Sequence, residues 1–293
     1  MTISYPTISR SLRTFSDGRW RQHRTEWPGG ARAAVVIAID FDGPSHDLTQ
    51  GFPPLGSHST GRYSGRRGVP RHLDMLSRLG IPATFFVPGY DAECYPQVIR
   101  NIAAAGHEIG AHGYLHERTL FEPQEEERRL RLTHEILGNM TGSPPVGWRS
   151  PSGQKTYTTL KVLHQLGYLY DASDKDFDMP YMLDLGHGRS LVEVPNNTYS
   201  LDDHPWFHYS MTPVSEVLEV WKREFDSIYA ERGFFFLSVH PRSGWGSGSP
   251  SRTAAIESLV RYMQAHEGVT FMTCAEMCNV VRACPQAFEE MRT

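Results

Sequence analysis

Asp40-Phe41-Asp42 and His112-Gly113-Tyr114-Leu115-His116 supply, from two distant stretches of the chain, the ligand types of a hydrolytic metal site. Two imidazoles and one carboxylate leave a coordination position open for water, the arrangement in which a divalent ion activates water near neutral pH. The remaining carboxylate of the D-x-D pair is then placed to act as a base beside that water. Further along, Arg149, the pair Asp202-Asp203 and His240 add a cation, carboxylates and a third imidazole. Each short pattern also arises by chance: a D-x-D can be a solvated turn, and two histidines four residues apart can be core residues of a helix.

The elements that must carry these residues alternate along the chain. Continuous apolar runs rich in β-branched and aromatic residues, at 33–39, 83–87, 108–111, 146–149, 191–194, 234–239 and 269–272, read as strands covered on both faces. Between them lie helical spacings such as Leu73/Leu76/Leu79, Leu160/Leu163/Leu166 and Ile256/Leu259/Val260/Met263, with helix ends expected at Gly80, Gly106, Gly167 and Gly233. Such alternation gives parallel βα units, either a barrel or an open doubly wound sheet. Asp40, Asp42, His112, Arg149 and His240 each fall at or just beyond the C-terminal end of an expected strand, where barrel enzymes gather their catalytic groups, so a TIM-like (β/α) barrel is the expected fold. No G-x-G-x-x-G follows the first strand, which removes a dinucleotide site from consideration. Residues 43–68, rich in Gly, Pro, Ser and His, read as a long loop after Asp42. Residues 1–30 read as an extension packed on a neighbouring subunit, 31–293 as one barrel domain, and His107 as a support for the site.

Composition narrows the partners. Lys+Arg 29 against Asp+Glu 33 gives a formal net charge of -4, and no basic stretch suited to nucleic acid or an anionic membrane appears. The first residues lack the apolar core of a secretory signal, and no window has the ~18–20 apolar residues of a membrane span, so the cytoplasm is the expected location. Cys94, Cys274, Cys278 and Cys284 lack C-x-x-C spacing and read as reduced, mostly buried thiols.

With these residues in order, the chain resembles the polysaccharide deacetylase (NodB-like) superfamily, whose fold is a distorted (β/α) barrel. Ile39-Asp40-Phe41-Asp42-Gly43 resembles its first motif, His112-x-x-x-His116 its second, Arg149-Ser150-Pro151 its third, Leu201-Asp202-Asp203-His204-Pro205-Trp206 loosely its fourth, and Leu237-Ser238-Val239-His240 its fifth. The resemblance implies one divalent metal per subunit, zinc being the expected ion, on Asp42, His112 and His116, with Asp40 as base. It implies that Arg149 holds Asp40 in a bidentate ion pair and that His240 is the acid, steadied by Asp202 or Asp203, of which Asp203 is chosen. Trp148, Pro151, Trp206 and Phe207 are the expected pocket residues, with a backbone N–H after Pro151 facing the oxyanion, and a homotetramer is the implied assembly.

Hydrolysis of an amide-like carbon–nitrogen bond follows from this set, whereas the substrate follows only from the resemblance. The overall pattern, including residues 61–69 and 83–87, is similar to an intracellular branch holding cyclic imide hydrolases and allantoinase-like enzymes. Allantoinase-like members lack the metal carboxylate that Asp42 supplies here, so the resemblance implies an imidase opening small cyclic imides such as succinimide or maleimide to half-amides. An N-deacetylase of peptidoglycan or other N-acetylated sugars, and an allantoinase or hydantoin-type enzyme, are the alternatives.

Overall fold

The computed structural model describes residues 27–117, 122–196, 199–285, 288 and 290–292, so only the last four residues of the expected extension fall within it. Its strands, in chain order, are β1 (Ala33–Asp40), β2 (Thr84–Val87), β3 (Glu108–Ala111), β4 (Gly147–Trp148), β5 (Tyr170–Asp171), β6 (Tyr181–Gly186), β7 (Arg189–Glu193), β8 (Phe234–Val239), β9 (Val269–Phe271) and β10 (Glu290–Arg292). The helices are α1 (Pro44–Thr49), α2 (Thr60–Tyr63), α3 (Val69–Leu79), α4 (Gly89–Cys94), α5 (Pro96–Ala104), α6 (Pro123–Thr141), α7 (Tyr157–Gln165), α8 (Val214–Glu231), α9 (Pro250–Gln264) and α10 (Cys274–Ala283).

The strands form one sheet in the order β10-β6-β7-β5-β4-β3-β2-β1-β8, with β9 beside the start of β1. Every pairing is parallel except β6 with β7, a hairpin whose turn residues His187 and Gly188 both have positive φ. Among the described residues no ladder joins β8 to β6 or β10, so the expected barrel is realised as a curled half-barrel.

Strand parity decides what faces the concave side. In β1, Val35, Ile37 and Ile39 pack with the helices, whereas Ala34, Val36 and Ala38 join the inner cluster with Phe86, Tyr170, Val192, Phe234 and Phe236. Because successive side chains alternate across a strand, Asp40 continues the inner set of β1, and Ser238 and His240 continue that of β8. Gly147 takes the inner side of β4 and Arg149, just beyond it and over the Phe236 ring, continues that side, whereas Trp148 joins the outer cluster. A Cβ at Gly147 would sit 1.8 Å from Cζ of Tyr170, so this register admits only glycine there. The bottom of the concave face is closed by α10, whose Met277, Cys278 and Val281 join the inner cluster. Its start is fixed by a capping box between Thr273 and Glu276 and by the Ala275 N–H, which donates to Glu108 at 3.0 Å.

Three expectations change. Residues 43–68 are a wound cap rather than a loop: α1, a 3-10 turn over Gly56–Ser59, α2 and a π turn over Ser64–Gly68 run directly into α3. Their short turns are set by Pro44 and by packing on the strand ends, neither of which produces a helical repeat. The left-handed residue ending α8 is Arg232 (φ 59), one position before the expected Gly233. Of the cysteines, Cys274 and Cys278 are buried and Cys94 and Cys284 are exposed; all four are free.

Gly68 shows how tightly the cap is seated, because a Cβ there would lie 1.8 Å from the Pro241 carbonyl oxygen in the segment just after β8. Gly68→Ala must therefore displace backbone, and we expect a loss of at least about 1–3 kcal/mol, read as a lower urea midpoint at unchanged m-value. An unaltered midpoint would mean that the cap is not held against that segment.

Candidate metal centre and active site

Asp42, His112 and His116 meet at the top of the half-barrel, each no more than 5% exposed, with their ligand atoms all within 4.8 Å of one another. His112 follows β3 directly. His116 reaches the same point through an irregular turn, not a helix, in which Gly113 (φ 68) and His116 itself (φ 54) are left-handed. Glu117 holds that turn by accepting from the N–H groups of Tyr114 and Leu115, and Arg129 on α6 pairs with Glu117 at 2.9 Å.

The donor set fits a divalent ion. Nδ1 of His112 lies 2.8 Å from the Arg149 carbonyl oxygen, so its N–H donates there and leaves the Nε2 lone pair turned toward Asp42. His112 Nε2 and His116 Nε2 stand 3.5 and 3.2 Å from Asp42 Oδ1, yet that buried oxygen accepts no hydrogen bond. Such an orphaned oxygen between two imidazoles is costly unless a cation sits among them. Burial opposes ionisation of Asp42, but the neighbouring imidazole charge, His116 before His240, outweighs it and holds the carboxyl well below its usual range.

A second carboxylate stands beside this triad. Asp40 Oδ2 accepts from Arg149 Nε at 3.0 Å and from Ser238 Oγ at 3.1 Å, while its buried Oδ1 has no hydrogen-bond partner. The expected bidentate pair is replaced by a single contact, because the other guanidinium nitrogens turn to the Ala172 carbonyl and to Ser238 Oγ. Burial works against the charge on Asp40, but Arg149, His112 and His240 prevail and keep its carboxyl below the ordinary value.

His240 faces both carboxylates, its Nε2 3.7 Å from Asp40 and 3.8 Å from Asp42. Behind it, Asp203 lies 2.6 Å from Nδ1 and accepts the His240 N–H at 3.0 Å, whereas Asp202 is 4.0 Å from Nδ1. Burial alone would lower this imidazole, but the charge and hydrogen bond of Asp203, with Asp42 and Asp202, push it up to about 10.

The expected pocket residues take other positions. Trp148 points outward from β4 and Phe207 is buried in the outer cluster, so neither walls the site. Trp206 packs against that same cluster and donates to the Ser200 carbonyl. Pro151 is buried in a single 3-10 turn beside Gly113, close to the site. His107 precedes β3 at the bottom of the sheet and packs on Phe85, so it does not support the site.

The aromatic surround comes instead from His46 on α1, whose ring is 4.9 Å from His116, and from Trp245, whose ring lies 4.9 Å from His240, 5.1 Å from His46 and 4.6 Å from His204. Burial, with the charges of His240 and His208, brings His204 down to about 4. Trp245 was visible in sequence only as an aromatic flanked by glycines five residues after His240; His46 had no signal beyond its nearness to Asp42. One further acidic group, Asp171, Asp174 and Glu193, is already filled by Lys155, whose Nζ contacts all three.

With this geometry in hand, comparison with known proteins places the chain. The polysaccharide deacetylase family profile matches residues 56–170. A crystal structure from Mycobacterium smegmatis, assigned to the polysaccharide deacetylases, superposes with a TM-score of 0.81 at 35% identity, covering 91% of this chain and 95% of that one. The Puue allantoinase structure gives a TM-score of 0.80 at 26% identity over 96% of this chain and 98% of its own. The peptidoglycan deacetylase of Helicobacter pylori is 29% identical over 255 residues, 75% of this chain and 86% of that protein. The chain belongs to the polysaccharide deacetylase family and is a hydrolase acting on amide bonds. No helix among the described residues is long and apolar enough to cross a membrane.

Proposed function

We propose that this chain is a metal-dependent deacetylase that hydrolyses the acetamido bond of an N-acetylated amino sugar of the peptidoglycan type. The observation that carries the chemistry is the convergence of Asp42, His112 and His116 beside an Asp40 oxygen without a partner and a His240 imidazole held by Asp203. The substrate class rests on the Helicobacter pylori relative and on the family.

Asp42, His112 and His116 would hold the ion, with zinc favoured by the two-imidazole, one-carboxylate set. When bound, that ion polarises the acetamido carbonyl and lowers the pKa of water beside it. Asp40 Oδ1 takes the proton of the attacking water, while Arg149 and Ser238 keep the carboxylate charged and oriented through Oδ2. The carbon–nitrogen bond breaks as His240 Nε2 delivers a proton to the departing nitrogen, and Asp203 stabilises the imidazolium beforehand. Products are acetate and a free amine.

A second reading, opening of a small cyclic imide or related ring, is supported by how enclosed the site is. The ligands and Asp40 are no more than 5% exposed, His46 and Trp245 stand beside them, and the likeness to an allantoinase runs along nearly the whole chain. The deciding experiment gives one zinc-loaded sample N-acetylglucosamine oligomers and peptidoglycan fragments, and separately succinimide and maleimide, with and without chelator. We expect acetate release that chelator abolishes and zinc restores. Ring opening without acetate would replace the deacetylase with the imidase, and chelator-insensitive turnover would sink the metal scheme in either form.

A further inference from the structure

Asp42 has φ 38, in the left-handed region where a residue other than glycine is strained. Something outside its own turn must hold it there. Its carbonyl oxygen accepts from Ser64 Oγ at 3.2 Å and from Arg242 Nη1 at 3.0 Å, and the same Nη1 donates to the Gly43 carbonyl at 3.1 Å. The other terminal nitrogen, Nη2, meets both carboxylate oxygens of Asp47 on α1 at 2.9 Å and Thr60 Oγ1 on α2 at 2.8 Å. Arg242 is 1% exposed. A charge removed from water to that degree persists only when its partners are fixed, and a planar guanidinium fixes several acceptors at once in a way an ammonium does not.

Arg242 also belongs to the segment that follows His240. Its carbonyl accepts from the Gly248 N–H at 3.0 Å, the Ser247 N–H donates to the His240 carbonyl at 2.6 Å, and its guanidinium stacks 4.9 Å from the Trp245 ring. His72 Nε2 on α3 lies 3.1 Å from the Ser247 carbonyl, anchoring the turn from below. One buried side chain therefore ties the backbone of the metal-binding aspartate, the first two helices of the cap and the turn after the general acid.

We propose that Arg242 is the positioning residue of the metal-binding carboxylate: by holding the Asp42 and Gly43 carbonyls against Asp47 and Thr60, it keeps Asp42 in its left-handed conformation and sets the affinity for the ion. The inference rests on Asp42, His112 and His116 being the ligands but is independent of the substrate. Groups that orient a ligand from behind typically change affinity roughly 10–100-fold when altered.

The test titrates metal-free protein with zinc against a competing chromophoric chelator and records the thermal midpoint of each metal-free sample. Arg242→Lys keeps the charge but not the fork, and is expected to raise the zinc Kd by roughly 10–100-fold. Asp47→Asn, which keeps an acceptor toward Nη2 while removing the counter-charge, is the milder variant and is expected to raise Kd by roughly tenfold. A structural role alone would lower the metal-free midpoint and leave the Kd of the folded protein unchanged. Parental zinc affinity in either folded variant overturns the proposal. Absence of zinc binding by the parent overturns it together with the metal reading, and shows before any variant is made.

Discussion

Asp40→Asn is expected to keep the fold and the bound metal and to lose hydrolysis by about 10²–10⁴-fold. The two oxygens of Asp40 do different work. Oδ2 is spent on Arg149 Nε and Ser238 Oγ, while Oδ1 is buried and without a hydrogen-bond partner. An asparagine turns its carbonyl to Arg149 and Ser238, because both are donors, and so leaves its amide nitrogen where Oδ1 was. That nitrogen has no lone pair to accept a proton, so the base is removed while the shape and the Arg149 contact stay. Metal content should not change, since Asp40 is outside the cluster of Asp42, His112 and His116. Kinetics on whichever substrate is turned over, beside the zinc content of the same sample, checks both halves. Turnover near the parental rate would remove Asp40 as base, and loss of zinc would make it a ligand instead.

The same pair of residues shows why part of the site was legible and part was not. Asp40 and His240 end runs of buried apolar residues, Ala33–Asp40 and Phe234–Val239, whose composition announces a covered strand and whose parity aims the next side chain at the concave face. His112 and Arg149 follow β3 and β4, four and two residues long, and were legible less from a buried run than from their resemblance to the family's second and third motifs. Likewise β5 is two residues long and β6 mixes buried and partly exposed positions, so neither yields a continuous apolar run, and no motif marks them. An aromatic next to Arg149 reads as near the pocket, whereas a one-residue offset along a strand sends Trp148 to the opposite face. Arg242 and Trp245 lie in a Gly- and Ser-rich segment, and their roles come from contacts with residues about 200 positions away in sequence, for which no local pattern exists.

For His240→Ala the expected result is retained metal with turnover reduced by about 10²–10⁴-fold, and the pH profile supplies the sharper test. With the imidazole pushed up to about 10 by Asp203, Asp42 and Asp202, the proton needed by the leaving nitrogen is present throughout the neutral range and is lost only as pH rises through that value. A bound divalent cation opposes the second positive charge, so the alkaline limb of kcat/KM in the loaded enzyme is expected below 10, yet above the ~6.5 of an unperturbed histidine. The sign for stability is the same: a folded-state value raised above the unfolded one gives stabilisation that is complete below about 6.5 and disappears as pH rises through the folded value. Asp203→Asn removes the first-named charge and the ionic hydrogen bond at 2.6 Å while leaving an acceptor for Nδ1–H, so its alkaline limb should move to lower pH, with a smaller loss of rate at pH 6 than at pH 8. His240→Ala should have no alkaline limb of this origin at all. An identical limb in the parent, Asp203→Asn and His240→Ala would assign it to another group and remove His240 as the acid.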